Sequence, residues 1–406
     1  MKVGIFMKKF EQLAANKNNE KWENIISRQH ELYSRGNDIR SEFGRDYTRI
    51  IFCNAYKRLK HKTQVFFSPE NDHICTRIEH VTHVESISYT IARYLGLNTE
   101  LTKAISVGHD LGHSPFGHQG EKVLNKICNT DIDDSFWHEK NGLFFVDNIE
   151  LLDDIDNFKQ NLDLTYAVRD GIISHCGEIN ENSLFPRNDY ISLSNYSKPN
   201  EFAPYTWEAC VVKIADKISY LCRDLEDALT LGIIENNLDE IHNFLNIDKN
   251  KPINNTIIIN NLICDLCENS NPNNGLMFSN EALTLMNKLK EFNYKNIYFS
   301  PKLQHCIKYF ETIITEIYNT LKNAYSGENT LQNLEKMHLE YPILSSRFLG
   351  FVHNYFDLGK REELKLKNKI VFDIANPIDY YKSIICFISG MTDNFAIDVY
   401  NEIISF

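Results

Sequence analysis

Apolar residues recur at every third or fourth position through 81–95, 101–111, 207–231, 280–291 and 302–323. A period near 3.6 residues, sustained over so much of a chain, restricts it to packed amphipathic helices. Residues 209–222, ACVVKIADKISYLC, place Val212, Ala215, Ile218 and Ser219 on one side, with Asp216 and Tyr220 on a neighbouring stripe. Alternating patterns of the kind strands need are few, so the expected fold class is mainly α-helical, with a short hairpin in the insertion 177–205. Within GLNTELTKAISVGHD, Gly96 reads as a helix stop and Asn98 or Thr99 as the cap of a new helix. Loops are expected at 67–76, 177–205 and 268–275, the last also marking a subdomain boundary, and the Asn-rich stretch 246–261 reads as a surface connection.

With 406 residues, 43% hydrophobic and 12% aromatic, the chain can bury a large core, which excludes global disorder. A formal charge of −12 argues against a general nucleic-acid surface. A local basic concentration is KRLKHK at 57–62, where Arg58 and Lys62 suit either a phosphate site or an oligomer interface. Ten scattered cysteines read as reduced thiols, and the lone CxxC of Cys264 and Cys267 as two small residues one helical turn apart, not a zinc site. No apolar run reaches membrane-spanning length, and VGIFM at the N-terminus is too brief for a secretory leader. A cytoplasmic protein is expected.

The chemistry concentrates in GHDLGHSPFGHQGE, residues 108–121. His109 and Asp110 are adjacent, and at a helix end the backbone can turn both toward one ion. Imidazole with carboxylate suits Mn, Fe, Zn or Mg, not a soft thiolate-type ion. Two residues cannot hold an ion alone; His80, in TRIEHVTHVE, and Asp216, inside VVKIADKISYL, offer themselves as partners. A carboxylate in such an apolar stretch costs several kcal/mol unless paired or metal-bound. Singly, His80 reads as a capping or surface histidine, and Asp216 as the partner of Lys213 or Lys217. Together, H…HD…D across three helical segments points to a metal.

Six blocks then carry a resemblance: RLKHKTQVF at 58–66, TRIEH at 76–80, HDLGHSPFGHQGE at 109–121, WHEKN at 137–141, KIADKISYLCRDLEDA at 213–228 and FISGMTDNFA at 387–396. In these the chain resembles the HD-domain superfamily, and within it the dGTPase-like deoxynucleoside triphosphate triphosphohydrolases. The resemblance implies an HD-domain helical fold with an additional C-terminal helical region, divided as an N-terminal helical segment 1–44, a catalytic core 45–235 and a C-terminal region 236–406. It implies one divalent metal ion (Mn, Fe, Mg or Zn) on His80, His109, Asp110 and Asp216. The implied reaction is hydrolysis of a dNTP to the deoxynucleoside and inorganic triphosphate.

Under that resemblance His118 and Glu121 form the proton-transfer pair, His113 donates to an α-phosphate oxygen, and His138 completes the polar wall. Arg77 and Lys217, beside His80 and Asp216, reach phosphate. Tyr220 packs on the sugar, and Asp224 accepts from the 3′-hydroxyl with help from Gln64, so that a 2′-hydroxyl is excluded. Expected partners are the dNTP substrate, a dNTP acting as allosteric effector, and further copies of the chain; membrane and nucleic acid are not indicated. GMTDNFA shows no catalytic group and is expected to pack the C-terminal helices against the core. Two alternatives use the same scaffold: an HD phosphohydrolase acting on nucleoside monophosphates or another phosphoester, and a non-catalytic nucleotide sensor. Gln64, Tyr220 and Asp224 argue against the first, and the intact His80, His109, Asp110, Asp216, His118 and Glu121 against the second.

Overall fold

The computed structural model describes residues 8–30, 38–67, 71–176, 182–234, 238–245, 248 and 252–405. The chain is mainly α-helical, as the periodicity requires. In order, the helices are α1 (Trp22–Ile26), α2 (Glu42–Phe52), α3 (Asn54–Arg58), α4 (Arg77–Leu95), α5 (Thr99–Gly108), α6 (Gly117–Asp131), α7 (His138–Phe144), α8 (Tyr166–Ser174) and α9 (Trp207–Thr230). They continue as α10 (Leu238–Leu245), α11 (Asn255–Asn269), α12 (Asn280–Asn293), α13 (Pro301–Asn323), α14 (Thr330–Lys336), α15 (Pro342–Tyr355), α16 (Pro377–Ser389) and α17 (Asp393–Ile404). No helix among the described residues is long and apolar enough to cross a membrane.

The punctuation between α4 and α5 follows from residue chemistry. Gly96 caps α4 at φ 89°, a left-handed conformation glycine adopts without strain, and the Asn98 side chain accepts from the backbone N–H groups of Glu100 and Leu101 to start α5. At its other end α4 opens with a capping box in which Glu79 accepts from the Thr76 backbone N–H at 2.8 Å.

Two expectations fail. The hairpin lies upstream of 177–205: β1 (Leu151–Asp153) pairs antiparallel with β2 (Lys159–Asn161), Leu152 facing Gln160. Its turn is set by the Asp154 carboxylate, which accepts from the N–H groups of Asp156 and Phe158, and by Asn157 at φ 61°. Residues 177–181 lie outside the described residues. From 182 to 205 the chain forms a 3₁₀ turn at Leu193–Asn195 and a single bridge from Leu184 to Leu276. Part of the Asn-rich stretch is helical as well: α11 begins at Asn255, capped by Asn254, because Ile258, Leu262 and Leu266 recur along one buried face.

Helices α4, α5, α8 and α9 pack together around an apolar centre, with α2 on α5 and α7 on α8. In the C-terminal region α13 packs on both α16 and α17, and α13 and α16 also meet α6. FISGMTDNFA joins these layers. The Asp393 carboxylate accepts from the backbone N–H of Thr63 at 2.8 Å and of Phe116 at 2.9 Å. Lys62, wholly buried, donates to the carbonyls of His113 and Ser389, while Arg58 pairs with Glu150 at 2.7 Å. Arg58 and Lys62 are therefore both engaged within the fold. Asp393→Ala leaves two N–H groups without their acceptor and is expected to cost about 1–3 kcal/mol in denaturant unfolding of the metal-free protein.

Candidate active site

The segment after α5 turns twice in quick succession. His109 caps α5, and α6 starts only at Gly117, after Phe116 at φ 61° and Gly117 at φ 58°. A left-handed phenylalanine is strained. Here it is held by the Asp393 contact to its N–H and by its ring stacking on Phe310 at 4.4 Å. Gly112 is required for a different reason: a Cβ there would come within 2.0 Å of the His138 carbonyl oxygen and 2.1 Å of the Gly142 nitrogen. That absent methyl lets α7 approach closely enough to bring His138 over the turn.

Four helices converge on a cluster of buried His and Asp. The Asp216 carboxylate, from α9, lies 2.9 Å from His80 Nε2 of α4 and 3.8 Å from His109 Nε2. Asp110 lies 3.5 Å from His109 Nε2 and 3.8 Å from His80 Nε2. His80 is buried, not a surface histidine, and Asp216 pairs with it, while Lys213 points elsewhere, to the carbonyls of Ser174 and Cys176. Burial opposes charge on both carboxyls, yet neighbours outweigh it: His109, His113 and Arg77 hold Asp110 well below the usual carboxylate range, and His80 lowers Asp216. His109 gives its Nδ1–H to the Ser106 carbonyl at 2.6 Å, leaving a buried Nε2 without a partner. Ionised carboxylates beside an orphaned imidazole lone pair form the donor set a divalent ion takes. Donor atoms of His80, His109 and Asp110 lie within 4.8 Å of one another, as do those of His109, Asp216 and His175.

A wall of imidazoles stands beside this cluster. His113 Nε2 is 3.1 Å from Asp110, and its ring stacks on His138 at 3.8 Å. Glu121 serves two rings: His118 Nδ1 at 3.2 Å and His138 Nδ1 at 3.1 Å, and it also accepts the His138 backbone N–H at 3.0 Å. Despite burial, those imidazoles hold the Glu121 carboxyl well below its ordinary range. Burial disfavours the His138 cation, but Glu139 and Glu121 outweigh it and raise His138 well above its usual value. His113 moves the opposite way, lowered by burial, Arg77 and His138. His118 differs from its neighbours in being exposed, with 64% of its side chain open.

These groups line one cavity of about 1170 Å³. Gln64, Arg77, His80, Asp110, His113, His118, Glu121, His138, Asp216, Lys217, Tyr220 and Asp224 all reach its surface, whereas His109 stands fully buried behind it. Arg77 does not project freely: it donates to Asp110 at 2.8 Å and to the Gln64 carbonyl at 3.3 Å. Asp216, Tyr220 and Asp224 follow at i, i+4 and i+8 along α9, a stripe about 12 Å long. Asp224 accepts from the Tyr298 hydroxyl at 2.5 Å through one oxygen; its other oxygen, like Gln64 Oε1, is buried without a partner. Burial pushes the Asp224 carboxyl up to about 7. Phe66, Phe116, Leu303, Ile307 and Phe310 supply an apolar flank. Lys122, Lys198, Lys213 and Lys302 give the cavity local positive charge within an acidic chain.

Tyr298 and His175 also line the cavity, and the sequence analysis singles out neither. Tyr298 ends a π-helical turn, Tyr294–Tyr298, and meets Asp224 across 74 residues. His175 caps α8 beside His109. Cys264 and Cys267 belong to no metal-capable cluster among the described residues.

The profile of the HD domain family matches residues 77–221, the stretch from the first residue of α4 through most of α9. Similar proteins include a "Deoxyguanosinetriphosphate triphosphohydrolase-like protein" of Desulfatibacillum aliphaticivorans, 35% identical over 70% of this chain and 74% of the relative. A protein of the same description from Rickettsia bellii is 32% identical over 90% of this chain and 92% of its own length. Another, from Caldanaerobacter subterraneus subsp. tengcongensis, is 31% identical over 90% and 86%.

Proposed function

The chain belongs to the HD-domain family of deoxyguanosinetriphosphate triphosphohydrolase-like proteins, and from that premise we propose that its cavity hydrolyses a deoxynucleoside triphosphate to the deoxynucleoside and inorganic triphosphate. One divalent ion, held by His80, His109, Asp110 and Asp216, supplies charge neutralisation at the α-phosphate and a more acidic water when bound. Water attacks the α-phosphorus, and the bond to the 5′ oxygen breaks.

His118, its Nδ1–H held by Glu121, gives a proton from Nε2 to the departing 5′ oxygen and regains one over the cycle from the attacking water. His113 and His138, stacked at 3.8 Å, face the α-phosphate as donors. Lys217 neutralises the phosphate chain, and Arg77 does so while braced on Asp110. Tyr220 lies against the sugar; the free oxygen of Asp224 takes the 3′-hydroxyl, with Gln64 as its helper. The observation that supports this reading is what one cavity brings together: a His and Asp cluster suited to a metal and phosphate, a wall of imidazoles suited to a leaving group, and unpaired Gln64 and Asp224 acceptors with apolar aromatics suited to a nucleoside. A cytoplasmic location, self-assembly and a dNTP effector accompany the proposal.

Protein loaded with Mn, Fe, Mg or Zn, given each dNTP singly and in mixtures, tests it by chromatography of the products. Deoxynucleoside and intact triphosphate are expected, and release of orthophosphate from a deoxynucleoside monophosphate instead would favour a phosphomonoesterase. GTP should turn over on the order of 10–100-fold more slowly than dGTP, because the added hydroxyl meets the Tyr220 ring. Equal rates would remove Tyr220, Gln64 and Asp224 from sugar selection.

A further inference from the structure

Two histidines in the wall of this cavity are built alike. His109 follows the last residue of α5, and His175 follows the last residue of α8. Each gives its Nδ1–H to the carbonyl three residues back, His109 to Ser106 at 2.6 Å and His175 to Ile172 at 2.7 Å. A carbonyl only accepts, so in both rings the proton sits on Nδ1 and Nε2 keeps its lone pair. Both Nε2 atoms are buried without a hydrogen-bond partner. The rings meet edge to face at 4.9 Å, and His175 Nε2 lies 3.9 Å from the Asp110 carboxylate.

The backbone around His175 is pinned as well. Lys213, from α9, donates through Nζ to the carbonyls of Ser174 and Cys176, one on each side of His175, and to Asn200 at 2.9 Å. A ring with a fixed tautomer, a fixed backbone and a buried, unmet lone pair costs free energy unless an electron-pair acceptor meets it.

We propose that His175 is a fifth protein ligand of the divalent ion, alongside His80, His109, Asp110 and Asp216. The inference rests on the metal reading given above. Three imidazoles and two carboxylates would make the donor set rich in nitrogen. Such a donor set favours Mn, Fe, Co or Zn over Mg, which prefers oxygen donors.

Titrating metal-free full-length protein with Co²⁺ tests this without reference to turnover. The wild type is expected to bind one Co²⁺ per chain and to show three solvent-exchangeable, hyperfine-shifted imidazole N–H resonances. His175→Gln should show two, with moved d–d bands and an affinity lower by about 100-fold or more, beyond the roughly 10–100-fold typical of outer-shell partners. Thermal melting of the metal-free variant checks its fold, and if it does not fold, the wild-type resonance count decides. Lys213→Met, which keeps the imidazole, should retain three resonances. Two resonances in the wild type, or an unaltered spectrum and affinity in His175→Gln, would overturn the assignment. So would two Co²⁺ per chain with a thiolate charge-transfer band, which would place His175 on a separate ion with His138 and Cys176. Asp216→Ala separates the two readings: Co²⁺ bound by the wild type and lost in that variant upholds the metal site whatever His175 does. Absence of Co²⁺ binding in the wild type would remove both.

Discussion

Asp216→Ala protein is expected to purify with far less than one metal ion per chain and with turnover at background. Asp216 sits among Val212, Ala215 and Ile218, where an unpaired carboxylate would be costly. It stays ionised because His80 Nε2 stands 2.9 Å away and His109 Nε2 3.8 Å away. Alanine removes a donor and a negative charge from the centre of the donor set, and the remaining imidazoles and Asp110 lose the carboxylate that spans them. The metal-free fold should tolerate the change, since the variant also sheds a desolvation cost. Elemental analysis, melting of the metal-free proteins and product chromatography read these three outcomes separately. Full metal occupancy in Asp216→Ala would take this residue out of the site.

His118→Ala should behave in the opposite way, keeping near-stoichiometric metal while kcat falls by about 10²–10⁴-fold, the range of positioned acid–base catalysis. His118 makes no contact with the His80, His109, Asp110 and Asp216 cluster; its Nδ1 meets Glu121 at 3.2 Å. Glu121 is held well below its ordinary value and remains an acceptor, which leaves Nε2 of His118 as the exchanging nitrogen. Because Glu121 also carries His138, Glu121→Gln disturbs two rings and is expected to cost at least as much as His118→Ala. The double variant should add little to the worse single one if the three groups work as a unit. Undiminished turnover by a metal-replete His118→Ala protein would reduce His118 to scaffold.

Helix positions were legible wherever one residue settles the matter locally. Gly96 and Asn98 mark a stop and a cap through their own backbone chemistry, and the apolar stripe of α9 announces a buried helix with Asp216 inside it. Asn255–Asn269 was not legible as a helix from composition, because burial of Ile258, Leu262 and Leu266 overrides the weak helix preference of asparagine. The hairpin at 151–161 did carry a signal, an aspartate-led turn at Asp154, which the longer polar insertion downstream outweighed. Tyr298 was beyond local reading, since its partner Asp224 is 74 residues away. For His175 a faint signal existed: DGIISH ends an apolar helix on histidine much as AISVGH does, and only packing of α8 against α5 brings the two ends together.

The tie between Asp393 and the turn at Phe116 has a consequence for birth order. Asp393 reaches back 330 residues to Thr63 and 277 to Phe116, and Ser389 reaches 327 to Lys62. Synthesis runs from the N-terminus, so every residue assigned to metal or substrate leaves the ribosome before the residues that brace the strained turn. A nascent chain stopped short of residue 389 carries the donors but not the acceptors that hold Thr63 and Phe116 in place. Until residues 389–393 have emerged, the turn at Phe116 lacks the contacts that brace it in the finished fold.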